Sequence, residues 1–248
     1  MTGFLKTATL FTNMSINLIK ANERGHANYG WLDTHYSYSF ARYYNPERMG
    51  FGSLRVLNDD TIAPNHGFPP HSHRDMEIIT IMLAGELTHE DSLGNTHTLK
   101  AGQIQVMSAG TGVTHSEINA SQTAAAKLLQ IWIIPDQSNL TPHYAETDYL
   151  PAKNTLTTLV APAGKTQANQ LAIHQRAWIK SGEYSAATTE NYELHPESYG
   201  LKIFVLEGQV KVDGQTAEAR DALEITRTST VTLQIAADTT FVLFEVNP

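Results

Sequence analysis

Residues 67–77 read GFPPHSHRDME, which sets His71 and His73 two apart after two prolines, with Glu77 four residues further on. Forty-two residues beyond His73 the chain writes THSE, so that His115 and Glu117 are again two apart. Side chains alternate between the faces of an extended strand, and residues two apart point the same way about 7 Å from one another along the chain. His71 and His73 therefore share a face, as do His115 and Glu117. If both pairs enter the interior of one barrel, they converge on a common point.

A single His-x-His in a β-rich chain is more often a surface or hydrogen-bonded pair than a pair of ligands; the second pair changes the reading. Three imidazoles and one carboxylate suit a divalent first-row ion, whether Fe, Mn, Co, Ni, Cu or Zn. Four protein ligands on an octahedral ion leave two positions for water, a chelating substrate or dioxygen, the mark of a chemical rather than a purely structural site. On parity alone Glu77 also shares the face of His71 and His73, and periodicity does not separate it from Glu117 as the carboxylate ligand.

Outward from this stretch, short runs rich in β-branched and aromatic residues (MEIITIML, QIQVMS, LLQIWII, KIFVLEG, VTLQIA, TFVLFEV) alternate with Gly, Asn, Asp and Pro. Such spacing predicts a mainly β chain of sandwich or barrel type. The one short helical turn expected is TAAAK, 123–127. LAGEL and LEGQV superpose two strand, glycine, strand, turn, strand units, a candidate internal repeat. The junction is expected in the polar, Pro-containing stretch 135–152, giving an N-terminal unit 1–140 and a C-terminal unit 141–248. Only the first carries the two histidine motifs. The second offers a lone His195.

The remaining histidines read as structural. His66 is expected at the site entrance, His89 and His97 solvated beside the 90–95 turn, and His26, His35, His143, His174 and His195 without a partner at ligand spacing. Phe68, Met107 and Trp132 are expected in the core, and AGTG (109–112) as a tight turn that aims His115.

At 248 residues with 41% hydrophobic content the chain has enough apolar material for one large or two ordinary domains. A net charge of −8, from 25 acidic and 17 basic residues, supplies no positive field for direct nucleic-acid binding. The absence of cysteine removes disulfides and thiolate ligands and leaves the redox compartment open. No apolar run approaches a membrane span, and the opening MTGFLKTATLFTNMS is too broken by Thr and Asn for a secretory core. A soluble, cytoplasmic protein is expected.

The run from GFPPHSHRDME to THSE resembles the N-terminal half of the pirin family. So do the earlier block HANYGWLDTHYSYSFARYYNPERMGFGSLRVLNDD and the later LLQIWIIPDQSNLTPHY, with the closest likeness to compact bacterial members with quercetinase activity. The likeness is specific over residues 24–145 and weaker beyond. It implies a bicupin: two cupin-type antiparallel β-barrels of jelly-roll form, the second without metal. It implies His71, His73, His115 and Glu117 as metal ligands, whereas the general cupin pattern takes its glutamate where Glu77 stands. The activity implied is a metal-dependent dioxygenase, with iron the first expectation for the metal, that opens a flavonol such as quercetin. Its partners would be a small phenol and dioxygen, with Glu117 taking the substrate proton. The family also implies an alternative, a metal- or redox-responsive regulator acting through protein partners.

Overall fold

The computed structural model describes residues 14–149 and 151–247, so the reading of the first thirteen residues lies outside the described part of the chain. The first half contributes β1 (Ser15–Ile19), β2 (Gly25–Asn28), β3 (Leu32–Tyr36), β4 (Leu54–Ile62), β5 (His66–His73), β6 (Glu77–Ala84), β7 (Glu86–Asp91), β8 (Thr96–Lys100), β9 (Gln103–Ser108), β10 (Val113–Asn119), β11 (Ala126–Ile133) and β12 (His143–Asp148). The second half contributes β13 (Leu156–Pro162), β14 (Leu171–Ile173), β15 (Trp178–Tyr184), β16 (Thr188–Glu193), β17 (Gly200–Glu207), β18 (Gln209–Val212), β19 (Gln215–Glu218), β20 (Ala222–Thr226), β21 (Thr230–Ile235) and β22 (Thr239–Val246). The fold is a bicupin, as the resemblance implies. Each half is a jelly-roll of one seven-stranded and one four-stranded sheet rather than a closed barrel.

The seven-stranded sheet of the first half runs β12-β9-β6-β11-β4-β3-β2 and faces the four-stranded sheet β5-β10-β7-β8. Alternation along its central strands explains the layering. Ile79 and Ile81 of β6, Ile104 and Val106 of β9 and Leu129 and Ile131 of β11 form one core with Val160, Ile179, Phe204 and Phe244 of the second half. This apolar layer joins the two jelly-rolls back to back, and each Ile or Leu fully buried there stabilises the fold by roughly 1.5–3 kcal/mol. The intervening positions face the interior of the first jelly-roll. Thr80, Gln105, Gln130, Asn58 and Asp60 are buried polar residues on these strands, a composition that a purely structural interior would avoid.

The repeat read from LAGEL and LEGQV is present as β6-β7-β8 and β17-β18-β19. Gly85 and Gly208 occupy the two strand junctions at φ of 71° and 77°, a left-handed conformation that favours glycine. One strand crosses between the sequence halves: β1 pairs with β20 of the second, while β12 pairs with β9 within the first. At the same boundary Tyr38 and Lys202 both donate to Glu224, at 2.7 and 2.9 Å.

The helical turn expected over TAAAK does not form. Ala126 and Lys127 already belong to β11, and the preceding loop is pinned by side chains: Ser121 Oγ accepts from the Ala124 N–H, and Asn119 Nδ2 donates to the Ala124 carbonyl. These bonds occupy the backbone groups that a helix would use.

Candidate metal centre

β5 is the edge of its sheet, where prolines cost no ladder bond on the solvent side. In its pairing with β10, His115 lies opposite His71 but Glu117 lies opposite Phe68, so β5 spends one extra residue at Pro69–Pro70. This bulge resets the alternation. Phe68 and His71, three apart, consequently both line the interior pocket with His73, His115 and Glu117. Gly67 permits the close approach of the strands, since a β-carbon there would collide with the Glu117 carbonyl oxygen. Gly67→Ala is expected to destabilise the protein by about 1–3 kcal/mol, the usual range for overpacking, and to displace the histidine pair. Urea unfolding together with metal content checks both effects.

The AGTG segment forms the expected turn before β10, with the Gly112 N–H donating to the Ala109 carbonyl at 2.8 Å. Three imidazoles then gather from the two strands. Ring centroids are 4.8 Å apart for His71 and His73, 4.5 Å for His71 and His115, and 5.0 Å for His73 and His115. One ring nitrogen from each lies within 4.8 Å of the others, a spacing that fits a shared ion.

Hydrogen bonds select which nitrogen faces inward. His71 Nδ1 donates to the Pro69 carbonyl at 2.8 Å, leaving Nε2 with its lone pair. Behind His115 stands a buried chain that the sequence reading missed, because His89 is fully buried rather than solvated. His89 Nε2 donates to Asp91 Oδ2 at 3.1 Å, and His115 Nδ1 donates to His89 Nδ1 at 3.4 Å. Burial alone would raise the Asp91 carboxyl; bonds from Asn95, His89 and the backbone outweigh it and hold the group below its usual range. The anion fixes the His115 tautomer. Its Nε2 is a buried atom with no hydrogen-bond partner among the described residues, so the donor set fits a metal ion.

Glu117 is 2% exposed. Gln105 Nε2 donates to one of its oxygens at 2.7 Å, with Thr80 Oγ1 at 3.2 Å, and Gln130 Nε2 donates to the other at 2.8 Å. Burial raises its pKa, only partly countered by His89 and His71. A Glu117 oxygen falls within 4.8 Å of His89 and His115, but the structure does not bring all four expected ligands into one such group. Glu77 faces elsewhere. The chain leaves β5 through Asp75 at φ 48°, which breaks the assumed parity, and Glu77 then accepts from Ser108 Oγ at 2.6 Å on the face shared with Ile79 and Ile81.

The pocket, about 360 Å³, lies within the usual range for small-ligand sites. Phe40, Phe68, Ile78 and Trp132 form apolar wall, so Phe68 and Trp132 serve the cavity, while Met107 is core as expected. His66 stays exposed against Trp31, outside the lining. His97 is exposed beside Glu146, as expected, and His195 stacks on Trp178 and bonds Glu245. His26 and His35 do have close partners, contrary to expectation: cross-strand pairing brings them together with Asp33. Their rings are stacked at 4.4 Å and 19°, His26 Nε2 bonds Asp33 Oδ1 at 2.7 Å, and the three residues lie outside the lining of the pocket.

Burial and neighbouring imidazoles push His73 down to about 4 and His115 down to about 3, from an ordinary 6.5. Both are uncharged in the fold at neutral pH, the form a metal requires. In the unfolded chain they take protons near 6.5. The unfolded state therefore binds more protons below that pH, and the stability of the metal-free protein should fall as pH drops from about 6.5 toward 4. Urea midpoints of chelator-treated protein across this window measure the slope, and a flat profile contradicts it.

The Pirin family profile matches residues 18–133, and the Quercetinase C-terminal cupin domain profile matches residues 158–246. A quercetin 2,3-dioxygenase of Escherichia coli K12 is 38% identical over 238 residues, 94% of this chain and 99% of that protein. The chain belongs to the pirin family. A pirin-like protein of Caulobacter vibrioides is 37% identical to this pirin, covering 89% of the chain and 95% of its relative. The crystal structure of the bacterial pirin YhhW from Escherichia coli in complex with nickel(II) superposes on this pirin with a TM-score of 0.89 at 38% identity, covering 94% and 100% of the two chains. A quercetin 2,3-dioxygenase from Acinetobacter baumannii shares the fold at 20% identity, with a TM-score of 0.72 and coverage of 95% and 79%. Among the described residues no helix is long and apolar enough to cross a membrane.

Proposed function

We propose that this pirin is a metal-dependent dioxygenase that opens a flavonol such as quercetin, with His71, His73 and His115 and the Glu117 carboxylate as ligands of one divalent transition ion. The observation that carries the reading is the partnerless Nε2 of His115, held toward two further imidazoles in a largely apolar pocket that also contains Glu117. When bound, the ion supplies Lewis acidity that favours the deprotonated flavonol and open positions for substrate or dioxygen. Iron is the first expectation, and the nickel in the YhhW crystal fits the same donor set. The reaction breaks the two carbon–carbon bonds flanking the hydroxyl-bearing carbon, takes up both atoms of dioxygen and releases that carbon as carbon monoxide.

The chain's own groups divide this work. The histidines anchor. Glu117, its pKa raised by burial and its oxygens held by Gln105, Thr80 and Gln130, takes the proton from the substrate hydroxyl and returns it to the cleaved product. Phe68, Trp132 and Phe40 clasp the flat rings and exclude water. Purification without chelator or nickel resin, followed by elemental analysis, identifies the metal. Anaerobic loading and then oxygen with quercetin, recording absorbance and carbon monoxide, tests the activity. Absence of metal-dependent turnover defeats the proposal.

A further inference from the structure

Eight buried side-chain polar atoms find no hydrogen-bond partner among the described residues, and four of them belong to residues lining the metal pocket: Asn58, Asp60, His115 and Trp132. Such atoms are rare in folded proteins because each forfeits its hydration. Their concentration around one cavity marks groups kept ready for a ligand. His115 is accounted for by the metal reading. Asn58 Oδ1 and Asp60 Oδ1 are not.

These two stand two residues apart on β4 and are 3% and 2% exposed. β4 lies in the seven-stranded sheet, so they approach the cavity from the wall opposite the histidine strands β5 and β10. Asn58 and Asp60 both line the cavity, and a carboxyl and an amide on its wall take an O–H or N–H from an occupant. Trp132 Nε1, also without a partner, offers a donor from the neighbouring strand β11. Burial pushes the Asp60 carboxyl up to about 7, which keeps the cost of an unpaired charge low until a ligand arrives. The Thr34 hydroxyl, on the strand paired with Asp60, bears on one carboxyl oxygen, which leaves the other as the acceptor for the cavity.

We propose that Asn58 and Asp60 form a subsite for a second phenolic hydroxyl of the substrate, across the pocket from the hydroxyl presented to the histidines, so that the pocket selects polyhydroxylated flavonols. The inference rests on the flavonol reading above and adds what decides between flavonols. A hydroxyl that donates its one proton to this acceptor pair gains a bond, whereas an analogue lacking it leaves the pair without a donor.

The test is anaerobic binding of quercetin and of 3-hydroxyflavone, which keeps only the reacting hydroxyl, to the metal-loaded protein, followed by ligand absorbance and protein fluorescence. The native protein should prefer quercetin by about tenfold or more. Asn58→Leu and Asp60→Leu should each lower that preference several-fold, while Asp60→Asn, which keeps an oxygen acceptor, should retain most of it. Near-UV circular dichroism verifies folding; if Asp60→Leu does not fold, Asn58→Leu with Asp60→Asn gives the answer. Equal affinity of the native protein for both flavonols, binding of neither, or an unchanged preference in Asn58→Leu overturns the subsite. Preferential binding without oxygen-dependent turnover supports the subsite and defeats the dioxygenase reading instead.

Discussion

Protein carrying His115→Ala should lose its metal on dialysis, falling from about one ion per chain to almost none, with quercetin turnover reduced by more than about 100-fold. Loss of a group that merely orients a ligand lowers affinity or activity roughly 10- to 100-fold, and His115 is placed as the ligand itself. Its Nε2 has no other partner among the described residues, while Nδ1 is already committed to His89 and through it to Asp91. The substitution leaves His71 and His73, two residues apart on an edge strand, to hold the ion with Glu117. It also leaves a cavity and removes the donor to His89, so some thermal stability should be lost. Elemental analysis and the carbon monoxide assay on folded protein read the outcome. Undiminished metal content would remove the proposed ligand set.

Glu117→Gln should separate metal binding from chemistry. The three imidazoles remain, so metal content should be largely kept, whereas turnover should fall by roughly 10²- to 10⁴-fold, the contribution typical of a positioned acid–base group. The exchange is not silent structurally. The carboxylate accepts two amide N–H donors, from Gln105 and Gln130, and a glutamine there must oppose one of them with its own NH₂. Leaving such a buried pair unsatisfied costs about 1–3 kcal/mol, so a lower melting temperature should accompany the loss of turnover. Parallel measurement of metal, turnover and melting distinguishes this pattern from simple loss of the site; full activity in the variant would take proton transfer away from Glu117.

Much of the architecture was legible because strand alternation and turn residues are local. The runs read as MEIITIML, QIQVMS and LLQIWII became β6, β9 and β11, and the LAGEL/LEGQV correspondence marked equivalent glycine junctions. The two histidine pairs could be paired in thought because each stays within one strand. Parity failed where the strand itself was interrupted. The Pro69–Pro70 bulge turns Phe68 inward with His71, and Asp75 rotates Glu77 to the other face; neither event has a period. His89 was misplaced by its nearness to a turn, although Leu87, His89 and Asp91 share one parity and Leu87 is buried. The helical reading of TAAAK failed because Asn119 and Ser121, outside that segment, claim its backbone groups.

The pairing of β1 with β20 has a bearing on lineage and engineering. An ancestor made by duplicating one cupin would have had two separable modules. Here the leading strand borders the trailing sheet, while β12, inside the expected junction stretch 135–152, borders the leading one. Severing the polypeptide ahead of β12 would strip each piece of a border strand and bare the apolar seam between them, so the histidine-bearing portion is expected to be unstable when isolated.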